Sequence, residues 1–460
     1  MSGLPKRRCP DAVILVPGIL GTELLDPDTS EPVWGLGAKQ LVAAVVTGTI
    51  YERLRDPRLQ PSRLLARTGS LPLLGRFEPY TTLADSLRRT VADRDALLEF
   101  PYDWRHPVAE TSKRFAAVAS GHLERWRRNP AGSRDAQLSL VAHSMGGLVC
   151  LQAMTLDADA LDVRSVRQLL TLGTPYLGAV KAVRALATGE VLPLGWAIRR
   201  TTKERLRTLA RETPGVYDLL PSYPATYQEG GAITATSLRR PSVDDFVAVG
   251  ADRTYVEDAV DAARKRSEPP AQLELWAMVG TSQPTLQSFI TADGQTTFFD
   301  HVGGIPWAGD GTVHFHASRP KGSFAGTGLA QAHGALATTS EARIAIETRL
   351  LTGGDSEWQG GGIGLQVADS VGCNEEFTIT ISARPGVIPT CRWREIGTNR
   401  DGDLSLGPPR RHTIMDNGNE VHIEIRAVEH AWSNMGMYTV TASGGGASDV
   451  SVDVVVEDDG

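Results

Sequence analysis

The residues best suited to covalent chemistry cluster around Ser144, in Leu138-Ser-Leu-Val-Ala-His-Ser-Met-Gly-Gly147. Leu138 to Val141 reads as a buried strand. It breaks at Ala142-His143-Ser144-Met145-Gly146, and an apolar-rich helix follows from Gly147, with Leu148, Leu151 and Met154 near one face. Such a strand–turn–helix holds a serine on a turn so tight that the residues two before and two after it must be small. Here they are Ala142 and Gly146, an A-x-S-x-G pattern. The helix N-terminus turns its free N–H groups toward the Ser144 oxygen and favours negative charge there. A serine so placed suits acyl transfer if an imidazole takes its proton and a carboxylate orients the imidazole. Asp310, in Gly309-Asp-Gly-Thr-Val313, and His333, in Ala332-His-Gly334, can supply them. A further glycine-bearing loop, Pro17-Gly18-Ile19-Leu20-Gly21, follows the strand Val13–Val16. The backbone N–H groups of Ile19 and Met145 are the candidate oxyanion donors, worth about 3–4 kcal/mol each.

Other histidines compete for the base. His314 and His316 follow Asp310 too closely to reach back easily from a separate loop, and His143 lies inside the serine turn, pointing elsewhere. Asp300, His301, His314 and His316 could instead make a metal site, but their spacing is not a recognised one. No cofactor or metal is expected. Pro101-Tyr-Asp-Trp-Arg105 carries packing aromatics and a fixing Asp103–Arg105 ion pair.

The elements that must position these groups alternate strand and helix. Strands are expected at Val13–Val16, 96–100, Leu138–Val141, Val166–Leu172 and 272–279, with helices over 82–91, 108–128 and 339–351. The order Ser, Asp, His along such a chain is that of an α/β-hydrolase, so the expected fold class is α/β. Residues 181–245 break the alternation and interleave cations with leucine, valine and Trp196. They are expected to form an inserted helical cap, either a solvated face or a lid meeting an anionic lipid surface. Glycine-rich residues 353–364 read as a linker. Beyond them the period changes to two, as in Phe377-Thr-Ile-Thr-Ile381 and Tyr438-Thr-Val-Thr-Ala442, which predicts a β-sandwich over 365–460.

Composition sets the outer bounds. The chain has 460 residues, enough for two or three domains, and is 41% hydrophobic and 22% charged, as globular proteins are. A net charge of −7 gives no global case for nucleic-acid binding. Four cysteines (Cys9, Cys150, Cys373, Cys391) lack metal-ligand spacing and are too few for a disulfide scaffold. Lys6-Arg7-Arg8 before the apolar run 12–20 mimics a signal peptide, but Pro17-Gly18 interrupts the run. A cytoplasmic location, with peripheral membrane association, is expected.

Seven pieces in order give a specific resemblance: Val16-Pro-Gly-Ile-Leu-Gly21, Pro101-Tyr-Asp-Trp-Arg105, His143-Ser-Met-Gly-Gly147, Gly173-Thr-Pro-Tyr-Leu-Gly178, Leu219-Leu-Pro-Ser222, Gly309-Asp-Gly-Thr-Val313 and His333. Residues 12–351 thus resemble the lecithin:cholesterol acyltransferase family of α/β-hydrolases. The resemblance implies Ser144, Asp310 and His333 as the triad, an acyl-serine intermediate and a lipid ester as donor. It departs at His314, where the family usually has proline. Residues 365–460 resemble an immunoglobulin-like domain: Trp393 follows Ile381 by twelve residues, and Met435–Val440 resembles its tyrosine-corner strand. Ile381 and Val440 would replace the two cysteines, leaving Cys373 and Cys391 as free thiols; the partner of this domain is unknown. The reading is a serine-dependent lipid O-acyltransferase or phospholipase. The alternatives are a carboxylic-ester hydrolase using water only and a binding protein on a degenerate hydrolase fold.

Overall fold

The computed structural model describes residues 8–35, 49–65, 80–156, 159–189, 200–227, 233, 237–266, 268–281, 283–305, 308–320, 325–329, 331–353, 363–367, 370–383, 385–395, 398–416, 419–444 and 449–457. Six parallel strands make its central sheet: β1 (Ala12–Val16), β2 (Leu97–Glu99), β3 (Leu138–His143), β4 (Val166–Leu172), β5 (Leu275–Gly280) and β6 (Ala325–Leu329), in the order β6-β5-β4-β3-β1-β2. Strands β1, β3 and β5 are buried along their whole length. This explains their continuous apolar runs, since a parallel sheet is covered on both faces. The register aligns Val16 with Ala142, His143 with Leu172 and Gly280 with Leu329. The C-terminal ends of five strands therefore share one edge, where loops of an open α/β sheet gather. The arrangement fits an α/β-hydrolase.

Helices α1 (Thr81–Thr90), α2 (Val108–Arg128) and α3 (Met145–Ala153) pack within the same apolar core as the sheet. Strand β6, Ala-Gly-Thr-Gly-Leu, carries no run that marks it as a strand; pairing with β5 makes it one.

The segment expected as a helical cap does hold α4 (Val180–Thr188) and α5 (Arg200–Arg211), but it differs in two ways. It continues into α6 (Arg253–Arg266), and it contains strand. Thr226–Tyr227 and Leu238–Arg239 join a four-stranded sheet with the hairpin Ser288–Ala292/Gln295–Phe299. The hairpin turns at Asp293-Gly294, both at positive φ, the conformation that Asp-Gly favours in two-residue turns. These elements share a second core of Val183, Leu186, Tyr217, Phe246, Val256 and Phe289. A buried ion pair, Arg266 to Asp218 at 2.8 Å, ties this layer down. Arg266 also donates to Gln152 Oε1 on α3, and Asp218 accepts from the Val108 N–H at the start of α2. Trp196 and Arg199 lie outside the described residues.

Of the expected linker, residues 354–362 lie outside the described residues, and a strand already begins at Ile363. The C-terminal unit has two sheets. One holds β7 (Ile363–Gln366), β9 (Phe377–Ala383), β12 (Arg410–Asp416) and β13 (Asn419–His430), in the order β7-β9-β13-β12. The other holds β8 (Ser370–Gly372), β10 (Thr390–Glu395), β11 (Asp401–Leu404), β14 (Gly436–Ser443) and β15 (Val450–Glu457), in the order β8-β15-β14-β10-β11. Ile379, Ile381, Val440, Ala442 and Val454 are fully buried in its core. Trp393 is only half-buried; the deeply buried indole is Trp432, stacked on Tyr438 at 4.2 Å. All four cysteines are unpaired. No helix of the described residues is long and apolar enough to cross a membrane.

Candidate active site

Ser144 follows β3 directly and caps α3 with φ 52° and ψ −127°, a strained conformation for a residue with a side chain. The turn is over-determined. The Ser144 N–H donates to Leu172 O, its carbonyl accepts from Gly147 N–H and from the Thr174 hydroxyl, and the Val16 and Pro17 carbonyls press on Gly146. A Cβ at 146 would lie 2.5 Å from Pro17 O, so this position admits only glycine.

Across the strand edge, His333 Nε2 lies 2.9 Å from Ser144 Oγ, and His333 Nδ1 lies 2.7 Å from Asp310 Oδ2. Asp310 Oδ1 accepts from the N–H groups of Thr312 and Val313, at 2.9 and 2.7 Å. The carboxylate is buried and each oxygen has its own task. The imidazole is therefore held with its proton on Nδ1 and a lone pair toward the serine, the state in which it can accept a proton. Gly173, at φ 58°, presses on this pair: a Cβ there would meet Asp310 Oδ2 at 2.9 Å and His333 Nδ1 at 3.0 Å.

Ser144 directly follows β3, and His333 lies four residues past β6. Asp310 instead lies 30 residues past β5 (280 to 310), beyond the Asp293-Gly294 hairpin. The chain returns because Gln283 and Gly309 exchange both backbone hydrogen bonds, at 3.0 and 2.9 Å.

Of the oxyanion candidates, Met145 is the first residue of α3, where an N–H has no partner within the helix. Ile19 lies on the loop 17–21, which crosses the serine. Three aromatic side chains hold that loop. Tyr102 Oη donates to Pro17 O, Tyr80 Oη accepts from Gly18 N–H, and Trp34 Nε1 donates to Leu20 O. Asp103 and Arg105 form the expected pair, and Arg105 also donates to Leu54 O and Asp56 O. Tyr80 was not singled out from the sequence, and His143 was set aside. Yet His143 contacts Tyr80 Oη and the His333 carbonyl.

His301, His314 and His316 do not gather into a metal set with Asp300; among the described residues no group of three such ligands comes together. His301 packs on Phe299, while His314 is buried edge-on against Tyr223, 4.5 Å between ring centroids, with both ring nitrogens unpartnered. Burial, and secondarily the neighbouring His316, pushes the His314 pKa down to about 3. The folded state thus refuses a proton that the unfolded chain binds below about pH 6.5. The stability this neutral ring permits is intact above pH 6.5 and is lost as pH falls toward 3, by roughly 1.4 kcal/mol per unit. His314→Phe should flatten that acid limb. Urea midpoints of wild type and variant between pH 7.5 and 4.5 check it; parallel pH slopes would contradict it.

Comparison with known proteins adds an independent line. A family model described as lecithin:cholesterol acyltransferase matches residues 70–292, a span that contains Ser144 but not Ile19, Asp310 or His333. Phosphatidylcholine-sterol acyltransferase of Gallus gallus is 28% identical over 235 residues, 47% of this chain and 51% of that protein. Lysosomal phospholipase A and acyltransferase of Homo sapiens is 24% identical over 229 residues, again 47% and 51%. The chain spans about half the length of the curated relatives it matches. Among solved structures, a Listeria innocua gene product covers 75% of this chain and 96% of its own at 10% identity, with a TM-score of 0.31. The matched span takes in Tyr80, the serine turn and most of the cap layer, and over it the chain is similar to the lecithin:cholesterol acyltransferase family.

Proposed function

We propose that the protein is a serine-dependent lipid O-acyltransferase or phospholipase that works through an acyl-serine intermediate. The observation that carries this is the continuous hydrogen-bond chain from Ser144 Oγ through His333 to the buried Asp310 carboxylate. His333 Nε2 takes the serine proton as Oγ attacks the ester carbonyl, and Asp310 stabilises the imidazolium that forms. The N–H groups of Ile19 and Met145 hold the oxyanion. His333 then returns the proton to the leaving alcohol, and the acyl group stays on Ser144 until water or an acceptor alcohol arrives. That the donor is a lipid ester is supported by the relatives, whose names are those of lipid acyltransferases and a phospholipase.

Phospholipid vesicles incubated with the protein, with and without a long-chain alcohol, test this. A fatty-acyl ester of the alcohol means transfer. Free fatty acid alone means a hydrolase using water only. Neither product, together with no labelling by a fluorophosphonate, overturns the reading in favour of a binding protein on a degenerate hydrolase fold.

The cap is proposed to meet an anionic lipid surface. Helix α5 buries Leu206 and Ala210 and turns Arg200 and Arg205 outward, with Lys203 half-exposed. At about 1 kcal/mol per cation near an anionic surface, replacing these three by glutamine should weaken binding to phosphatidylglycerol vesicles roughly tenfold or more. Vesicle sedimentation at low salt measures it, and unchanged binding would remove the lid role.

We infer that the C-terminal unit is an immunoglobulin-like sandwich. In chain order its sheets pair as A-B-E-D and A′-G-F-C-C′, with β8 parallel to β15. Tyr438 lies two residues before the core residue Val440, and its hydroxyl donates back to Asn434 O at 3.0 Å. The buried pair Ile381 and Val440 stands where cysteines would bridge the sheets, which suits a reducing compartment.

A further inference from the structure

We propose that Tyr80 and His143 form a positioning relay that fixes the oxyanion loop against the loop bearing His333. The inference rests on the acyl-serine reading and deepens it. Tyr80 Oη accepts from Gly18 N–H at 2.8 Å and lies 3.0 Å from His143 Nδ1; His143 Nε2 lies 3.2 Å from the carbonyl oxygen of His333. The Tyr80 and His143 side chains are fully buried. The His143 and His333 rings lie 4.9 Å apart between centroids, tilted by 56°.

Proton positions follow from counting donors. Only a protonated Nε2 can bond to a carbonyl oxygen. An uncharged His143 ring therefore carries its proton there and presents a lone pair at Nδ1. The phenol has a single proton, which goes to that lone pair, while one of its oxygen lone pairs takes the Gly18 N–H. This arrangement satisfies all three of these hydrogen bonds at once.

The geometry gives the relay its purpose. A Cβ at Gly18 would sit 2.8 Å from Ser144 Cβ and 3.3 Å from Ser144 Oγ, so the loop backbone lies directly on the nucleophile. The peptide that follows Gly18 carries the Ile19 N–H. Anchoring the Gly18 N–H on Tyr80 sets the direction of that next peptide. His143 carries the same constraint to the backbone of the residue that must take the serine proton. Oxyanion donor and base are thus registered to each other as well as to Ser144. Neither Tyr80 nor His143 touches the reacting atoms, so both are positioning residues.

The test uses the full chain with p-nitrophenyl butanoate as ester probe and a fluorophosphonate to count active sites. Tyr80→Phe and His143→Ala should each lower kcat per titrated site by about 10- to 100-fold with KM within about twofold, since small misplacements cost rate more than ground-state binding. The double variant should fall no further than the worse single one, because each change breaks the same chain. His143→Gln, whose amide nitrogen falls near the Nε2 position, should recover part of the loss. Unchanged kcat per site in folded Tyr80→Phe, or losses that multiply in the double variant, would overturn the relay while leaving the acyl-serine reading standing. A wild-type protein that neither turns over the probe nor labels would overturn both. Independently of activity, 15N-histidine NMR should find a proton on His143 Nε2; a tautomer with the proton on Nδ1 alone would overturn the proposal.

Discussion

Ser144→Ala is expected to lower ester turnover by about 10⁵- to 10⁶-fold and to leave the fold intact. The size follows from removing the atom that forms the covalent bond. What remains is the background that oxyanion donors and binding supply, about 10³- to 10⁴-fold over water. The fold should persist because Ser144 is held through its backbone: its N–H bonds to Leu172 and its carbonyl to Gly147 and Thr174. Alanine at φ 52° carries the same backbone strain as serine, so the turn is no worse off. Comparing kcat and the thermal midpoint of the two proteins is the check. Activity retained within tenfold would remove Ser144 from the nucleophile role.

Asp310→Asn should cost about 10⁴ in kcat, and through a tautomer more than through lost charge. The backbone donors of Thr312 and Val313 point at Oδ1. In the variant they capture the amide oxygen and turn the amide NH2 toward His333 Nδ1. That ring must then accept at Nδ1 and carry its proton on Nε2, facing the serine. An imidazole in that state has no lone pair for the proton of Ser144. The defect should lessen as pH rises and serine deprotonates without help, so the ratio of wild-type to variant rates should fall with pH. A pH-independent ratio near unity would mean that Asp310 does not orient His333.

Much of this site is legible in the chain because it is local. The serine turn needs a strand, two small residues and a helix start within about ten positions, and Leu138–Gly147 supplies them in a row. The strands β1, β3 and β4 are equally plain, since a strand buried on both faces must be apolar throughout. Asp310 and His333 are legible as candidates, being a carboxylate and an imidazole in glycine-flanked loops, in the right order.

What was not legible depends on neighbours distant in sequence. Strand β6 carries no apolar pattern in the sequence and is made a strand by pairing with β5. The hairpin at Asp293-Gly294 went unrecognised, and with it the reason that Asp310 returns to the sheet edge. Tyr80 stands 62 residues from Gly18 and 63 from His143. A phenol in a sequence does not say which N–H it will accept from, and His143 looked like a by-product of the serine turn.

By itself, then, the amino-acid sequence determined Ser144 as the candidate nucleophile, the alternating α/β order and the change to period two after residue 364. These are set by short-range sterics and by hydrophobic periodicity, both of which are written residue by residue. Only the tertiary structure decided that His333 faces Ser144 and Asp310, that Tyr80 and His143 join the two loops above them, and that His314 is buried without a partner. Hydrogen bonds between groups 60 to 190 residues apart are fixed by how the sheet brings its loop edge together, and no local pattern encodes that.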